Sequence, residues 1–203
     1  KSLFYSDADV ENSASRIFAE AVYKISDKFK STTVFSYVSE NVDHSYQRVV
    51  LVSSPTEISW ASSIYKDVYN GYANIQQNIN GEFNTGSIKH QLLVGANYRN
   101  LSSSFLFGDL QIFDKVDLTQ KFSPLLRQEI DKNAVFEPYP TPTQQTISAY
   151  VSDMITIVPR LSTMLSLRVD HFNRKKVEDA EEGFKQTSLA PKFGLVYQIL
   201  PER

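Results

Sequence analysis

Leu161-Ser-Thr-Met-Leu-Ser-Leu-Arg-Val-Asp-His-Phe172 sorts its residues by parity. The odd positions hold Leu161, Thr163, Leu165, Leu167, Val169 and His171, and the even ones hold Ser162, Met164, Ser166, Arg168, Asp170 and Phe172. A β-strand sends successive side chains to opposite faces, whereas a helix would scatter these residues around its circumference. The segment therefore reads as a strand with one apolar and one polar face.

The same period continues on both sides. In Thr187–Gln198, Leu189, Pro191, Phe193, Leu195 and Tyr197 oppose Ser188, Ala190, Lys192, Gly194, Val196 and Gln198. Upstream, Ile88, His90, Leu92, Val94, Ala96 and Tyr98 oppose Lys89, Gln91, Leu93, Gly95, Asn97 and Arg99. Ile17, Ala19, Ala21, Tyr23 and Ile25 oppose Arg16, Phe18, Glu20, Val22 and Lys24. Lys30–Val42, Gly71–Phe83 and Thr143–Ile157 alternate less strictly, which brings the expectation to about seven strands.

Connections between these segments alternate in length. Short turns are expected at Ser26-Asp27-Lys28, Asn84-Thr85-Gly86 and Val158-Pro159-Arg160, with another beginning at Leu200-Pro201. Long excursions are expected over Ser39–Asn70, Leu101–Pro142 and Asn173–Gln186. In an antiparallel meander this order places every short turn at one end and every long loop at the other, as outer-membrane barrels do. On that reading Asp153, which falls on an otherwise apolar parity, belongs near the membrane boundary. A soluble β-sandwich is the competing fold, but loops this long are uncommon in compact domains.

Composition narrows the function. The 203 residues carry a net charge of −2, which gives no basic footprint for nucleic acid. There is no cysteine, so disulfides, thiolate metal sites and thiol nucleophiles are excluded. No apolar run reaches the roughly 18–20 residues of a membrane helix, but a barrel strand needs only about 9–11 alternating residues. His44, His90 and His171 share no ligand spacing, and no phosphate loop, nucleophile elbow or HExxH pattern is present. An enzyme is not expected. Glu178-Asp179-Ala180-Glu181-Glu182 reads as a solvated loop tip.

Several segments resemble a known family in its own order. Tyr150-Val-Ser-Asp153-Met-Ile155 is similar to the Tyr-x-x-Asp-x-Ile strand of TonB-dependent siderophore receptors. Leu161–Asp170 resembles that family's "L-x-L-x-x-G-L-R-x-D" strand, with Ser166 where glycine is common. Ala190-Pro-Lys-Phe-Gly-Leu-Val-Tyr197 resembles its "S-P-R-x-G-L-x-Y" strand. Phe83-Asn-Thr-Gly86 and His90-Gln-Leu-Leu-Val-Gly95 are similar to its "F-x-T-G…H-x-L-L-x-G" hairpin. Tyr23–Lys28 resembles another of its strands ending in a periplasmic turn, and Phe113–Pro124 loosely resembles a loop containing "L-F-x-P".

The resemblance implies an all-β, antiparallel up-and-down transmembrane barrel of about 22 strands in the bacterial outer membrane. Residues 1–203 would then be an incomplete sector of that barrel, with plug domain, TonB box and remaining strands outside it; the start at Lys1 and the stop at Arg203 fit a fragment. The implied function is TonB-dependent uptake of a ferric siderophore. Iron would enter only as a chelate, with no resident cofactor and no metal ligands. The implied partners are the siderophore, TonB through the plug, and outer-membrane lipid. Aromatic and hydrogen-bonding groups would hold such a cargo. The candidates are Trp60, Tyr65, Phe105, Phe107 and Tyr139 in the outward loops, alongside Tyr46, and Arg99, Arg168 and Asp170 on the inward parity. For each ring the alternative is loop packing or interface anchoring, and for each charge a solvated lumen wall. A non-transporting barrel or surface-binding protein is the alternative function.

Overall fold

The computed structural model describes Asp7, residues 10–177 and residues 182–199. Glu178–Glu181 of the acidic cluster and the expected turn at Leu200-Pro201 lie outside the described residues. In chain order the elements are β1 (Glu11–Lys24), β2 (Phe29–Val52), β3 (Glu57–Thr85), β4 (Ile88–Asp117), α1 (Arg127–Asn133), β5 (Phe136–Tyr139), β6 (Gln144–Val158), β7 (Leu161–Arg174) and β8 (Phe184–Tyr197). The sheet order is β1-β2-β3-β4-β6-β7-β8, a meander, with β5 paired to β4 off this path. The described sheet is open, with β1 and β8 at its edges.

The seven strands of the path are those expected, but two expected loops are strand. β2 and β3 run through Ser39–Asn70 and meet in a tight turn, where the Glu57 carbonyl accepts from the Ser53 and Ser54 N–H groups at 2.9 and 3.1 Å. β4 likewise continues to Asp117, 30 residues in all, against the roughly 9–11 that cross a membrane. The remainder of Leu101–Pro142 holds α1 and β5, so β5 is an eighth strand that was not expected. Asn173–Gln186 shortens as well, since β7 reaches Arg174 and β8 begins at Phe184. The physical reason is visible at Ile58–Ile64. Every residue there is buried, and a strand covered on both faces shows no alternation.

The chain divides into two compact units. Residues 16–38, 71–102 and 142–203 form the first, a sheet with three short turns. Gly86 takes one of them with φ +62°, a left-handed conformation that glycine adopts at little cost. Its registers set side chains in rows: Val94, Val151, Leu167 and Pro191 are successive partners, as are Leu92, Asp153, Leu165 and Phe193. This face is bare. Leu165 is 48% exposed, Leu189 63% and Phe193 72%, and every buried hydrophobic residue of the described chain belongs to the other unit. A soluble sandwich would cover such a face with a second layer, so the uncovered sheet argues against that alternative.

Residues 1–15, 39–70 and 103–141 form the second unit, which has a core of its own. Ile58, Trp60 and Ile64 of β3 pack with Leu125 and with Ile130 of α1, flanked by Tyr46, Phe113, Phe122 and Phe136. Leu126, at the helix N-cap, has no capping side chain; the Asp7 carboxylate instead accepts the Arg127 N–H at 2.6 Å. The same carboxylate takes the Arg48 guanidinium at 3.0 Å, tying α1 to β2.

Candidate functional site

The polar face of the first unit carries a connected network. Tyr150 of β6 lies directly across from Gly95 of β4 and from Arg168 of β7. Its hydroxyl donates to Asn78 Oδ1 at 2.5 Å and accepts from Gln76 Nε2 at 2.9 Å. The Arg168 guanidinium stands over its ring, 5.3 Å from the centroid. Arg168 Nε also donates to both Asp170 oxygens at 2.9 and 3.0 Å, and Ser148 Oγ donates to Asp170 Oδ1 at 2.5 Å. Asp170 is also within the electrostatic reach of Arg99. Arg168 and Asp170, two of the expected charges, thus neutralise one another while remaining partly exposed, at 38% and 26% of their side chains.

On the apolar face, the out-of-place acid has a partner. Asp153 Oδ2 lies 2.7 Å from His90 Nδ1, and the His90 ring stacks on Phe83 at 4.7 Å with planes 4° apart. A carboxylate in apolar surroundings is tolerated when an imidazole hydrogen-bonds it. His171 meets the Thr187 hydroxyl at 2.9 Å.

In the second unit, four of the expected rings gather into one cluster. The β4–β5 register sets Phe105 opposite Tyr139 and Phe107 opposite Glu137. Phe105 and Tyr139 stack at 4.9 Å, and Phe107 meets Tyr139 edge-on at 6.2 Å. Tyr65 completes the cluster, 5.4 Å from Phe105 and 5.2 Å from Phe107. Tyr139 keeps 52% of its surface exposed. A cleft of about 310 Å³ opens along this face, with Phe107, Asp109, Glu137 and Tyr139 among its walls.

Trp60 lies elsewhere. It is 4% exposed in the core with Ile58 and Leu125, a packing position that offers no surface to a ligand. What the sequence did not show is the polar knot around Tyr46. The Tyr46 hydroxyl donates to Asp131 Oδ1 at 2.5 Å and accepts from Arg127 Nε at 3.1 Å. Arg127 and Arg48 lie over its ring at 5.1 and 5.7 Å, and Arg127 also reaches His44 Nδ1 at 2.9 Å. Burial first, and the Asp131 carboxylate second, raise the Tyr46 hydroxyl above its ordinary pKa of 10.0. Among the described residues no group of three or more His, Asp and Glu side chains is placed to hold a metal ion.

An open meander with short turns, one apolar face without cover and one hydrogen-bonded polar face defines a sector of an up-and-down β-barrel of the outer-membrane kind. The model of the family described as TonB dependent receptor-like, beta-barrel, matches residues 2–203. The chain belongs to that family. Among solved structures it is similar to BauA, the ferric preacinetobactin receptor of Acinetobacter baumannii, at 15% identity and a TM-score of 0.69, over 94% of this chain and 29% of that one. It is also similar to the ferric citrate transporter FecA in its unliganded form, at 12% identity and a TM-score of 0.60, over 94% of this chain and 26% of that one. These likenesses concern the fold, and the chain spans less than a third of either structure. No curated sequence matches.

Proposed function

We propose that this chain is part of the wall and the outward arms of an outer-membrane receptor that imports a ferric siderophore with energy delivered through TonB. The observation that carries this reading is the family match across residues 2–203. The two-faced sheet supports it. Leu165, Leu189 and Phe193 stand uncovered as a lipid-facing surface does, while Tyr150, Arg168 and Asp170 line the opposite, wet side. Open strand edges are strongly disfavoured in lipid, so further strands must flank β1 and β8. The Tyr65, Phe105, Phe107 and Tyr139 cluster supplies rigid amphipathic contact area for a chelate. The two solved structures described above are named for ferric chelates, which favours iron as the cargo.

In this reading the chelate binds above a plug contributed by another part of the receptor. TonB rearranges that plug, and the wall described here stays rigid. The test is uptake of radioiron by cells that lack other siderophore receptors and express the full-length protein. They are fed a ferric trihydroxamate, a ferric tris-catecholate or ferric citrate. Entry of at least one chelate, abolished by deleting TonB, is expected. Binding at the cell surface without TonB-dependent entry would favour the non-transporting alternative.

A further inference from the structure

The ring cluster shares its face with two acids. Glu137 is the direct partner of Phe107, and Asp109, two residues beyond Phe107, projects from the same side of β4. Both charged residues among the described lining of the 310 Å³ cleft are carboxylates. A cation held by this strand pair, Lys66, lies 5.5 Å from the Phe136 ring, and Phe136 projects from the opposite side of β5. Aromatic faces carry a negative quadrupole that attracts ammonium groups. Two rings, Phe107 and Tyr139, and two carboxylates in one lining therefore present one sign of potential to whatever enters.

Building on the uptake reading above, we infer that this cleft receives a positively charged arm of the cargo, so that the receptor prefers an iron chelate bearing a free ammonium over a neutral or anionic one. A cleft of this size holds an alkylammonium arm rather than a whole chelate, which leaves the metal centre to other surfaces. An anionic chelate would be opposed by Asp109 and Glu137 together. Summed cation–π and exposed ion-pair contributions of ordinary size correspond to roughly tenfold in affinity.

The experiment measures binding to the purified full-length receptor. The probes are ferrioxamine B, whose free amine makes it cationic, its N-acetyl derivative, which keeps the same iron centre but is neutral, and an anionic ferric tris-catecholate. Ferrioxamine B should bind roughly tenfold tighter than the acetylated form, with the advantage shrinking at high salt. In an Asp109→Asn/Glu137→Gln variant the advantage should shrink to the salt-insensitive part that the rings supply, with the acetylated compound's affinity unchanged, which also shows that the variant folds. A wild-type ratio near one, tightest binding of the tris-catecholate, or binding of none of the three overturns the inference. The radioiron experiment judges the receptor reading separately, since TonB-dependent entry of any chelate sustains it.

Discussion

Gly95 and Tyr150 are cross-strand partners, and the phenol ring of Tyr150 occupies the space where a side chain on Gly95 would stand. A Cβ built on Gly95 would lie 2.4 Å from two ring carbons and 2.6 Å from Asn78 Oδ1. The glycine lets one ring bridge from β6 across β4 to β3, and it gives a physical reason for a glycine at the end of His90-Gln-Leu-Leu-Val-Gly95.

Gly95→Ala should accordingly displace Tyr150 and break its bonds to Asn78 and Gln76. Overpacking of this kind costs about 1–3 kcal/mol. Tyr150→Phe, which keeps the ring and loses only the hydroxyl bonds, should cost less, about 0.5–1.5 kcal/mol. Urea unfolding of the full-length barrel in lipid checks the order. An equal or smaller loss for Gly95→Ala would show that the ring has other places to lie.

Trp60 and Tyr139 should separate under substitution, although both are aromatic candidates. Trp60→Ala opens the core around Ile58, Leu125 and Ile130 and should cost about 3–5 kcal/mol. Tyr139, half exposed on β5, should tolerate alanine with a much smaller loss of stability. Limited proteolysis of residues 39–70 and 103–141 reads this difference. Ligand affinity should follow Tyr139→Ala directly, and Trp60→Ala only through loss of fold.

The Tyr46 knot makes the second unit sensitive to alkali. The hydroxyl's folded-state pKa is raised above 10.0, so the neutral form is favoured by folding. The resulting stability is fully present below the unfolded value and is lost as pH rises through the folded one. Proteolytic susceptibility of this unit should therefore increase above about pH 10, and Tyr46→Phe should flatten that dependence. A profile unchanged by Tyr46→Phe would place the titration elsewhere.

Topology is tested by labelling. A cysteine at Glu182, between β7 and β8, should react with an impermeant thiol reagent on intact cells, and one at Thr85, beside the Gly86 turn, should not. Reaction at Thr85 alone would invert the orientation.

The fold was legible where one face of a strand meets an apolar phase and the other meets water. Leu161–Phe172 and Thr187–Gln198 alternate for that reason, and their observed register pairs Leu165 with Phe193 and Ser166 with Lys192. It is illegible where protein covers both faces, as along Ile58–Ile64, and there the strand reads as loop. The rings of the candidate site were picked out by type, but sorting Trp60 into a core and Tyr139 onto a surface depends on Leu125 and Ile130, more than sixty residues downstream of Trp60. The Tyr46 knot was hidden for a similar reason. Asp131 is 85 positions from Tyr46, and no local pattern joins them.

On the receptor reading, the odd-numbered face of β7 meets lipid and the even-numbered face meets water. Leu167→Arg and Ser166→Arg separate the two faces, compared as unfolding free energies of the full-length receptor in lipid. Leu167→Arg, whose cross-strand partners Val151 and Pro191 offer a guanidinium no counter-charge, should cost about 2–4 kcal/mol. Ser166→Arg should cost under about 1 kcal/mol, mostly repulsion from Lys192 directly across on β8. Equal losses, or a larger loss at Ser166, would contradict the assignment of the two faces.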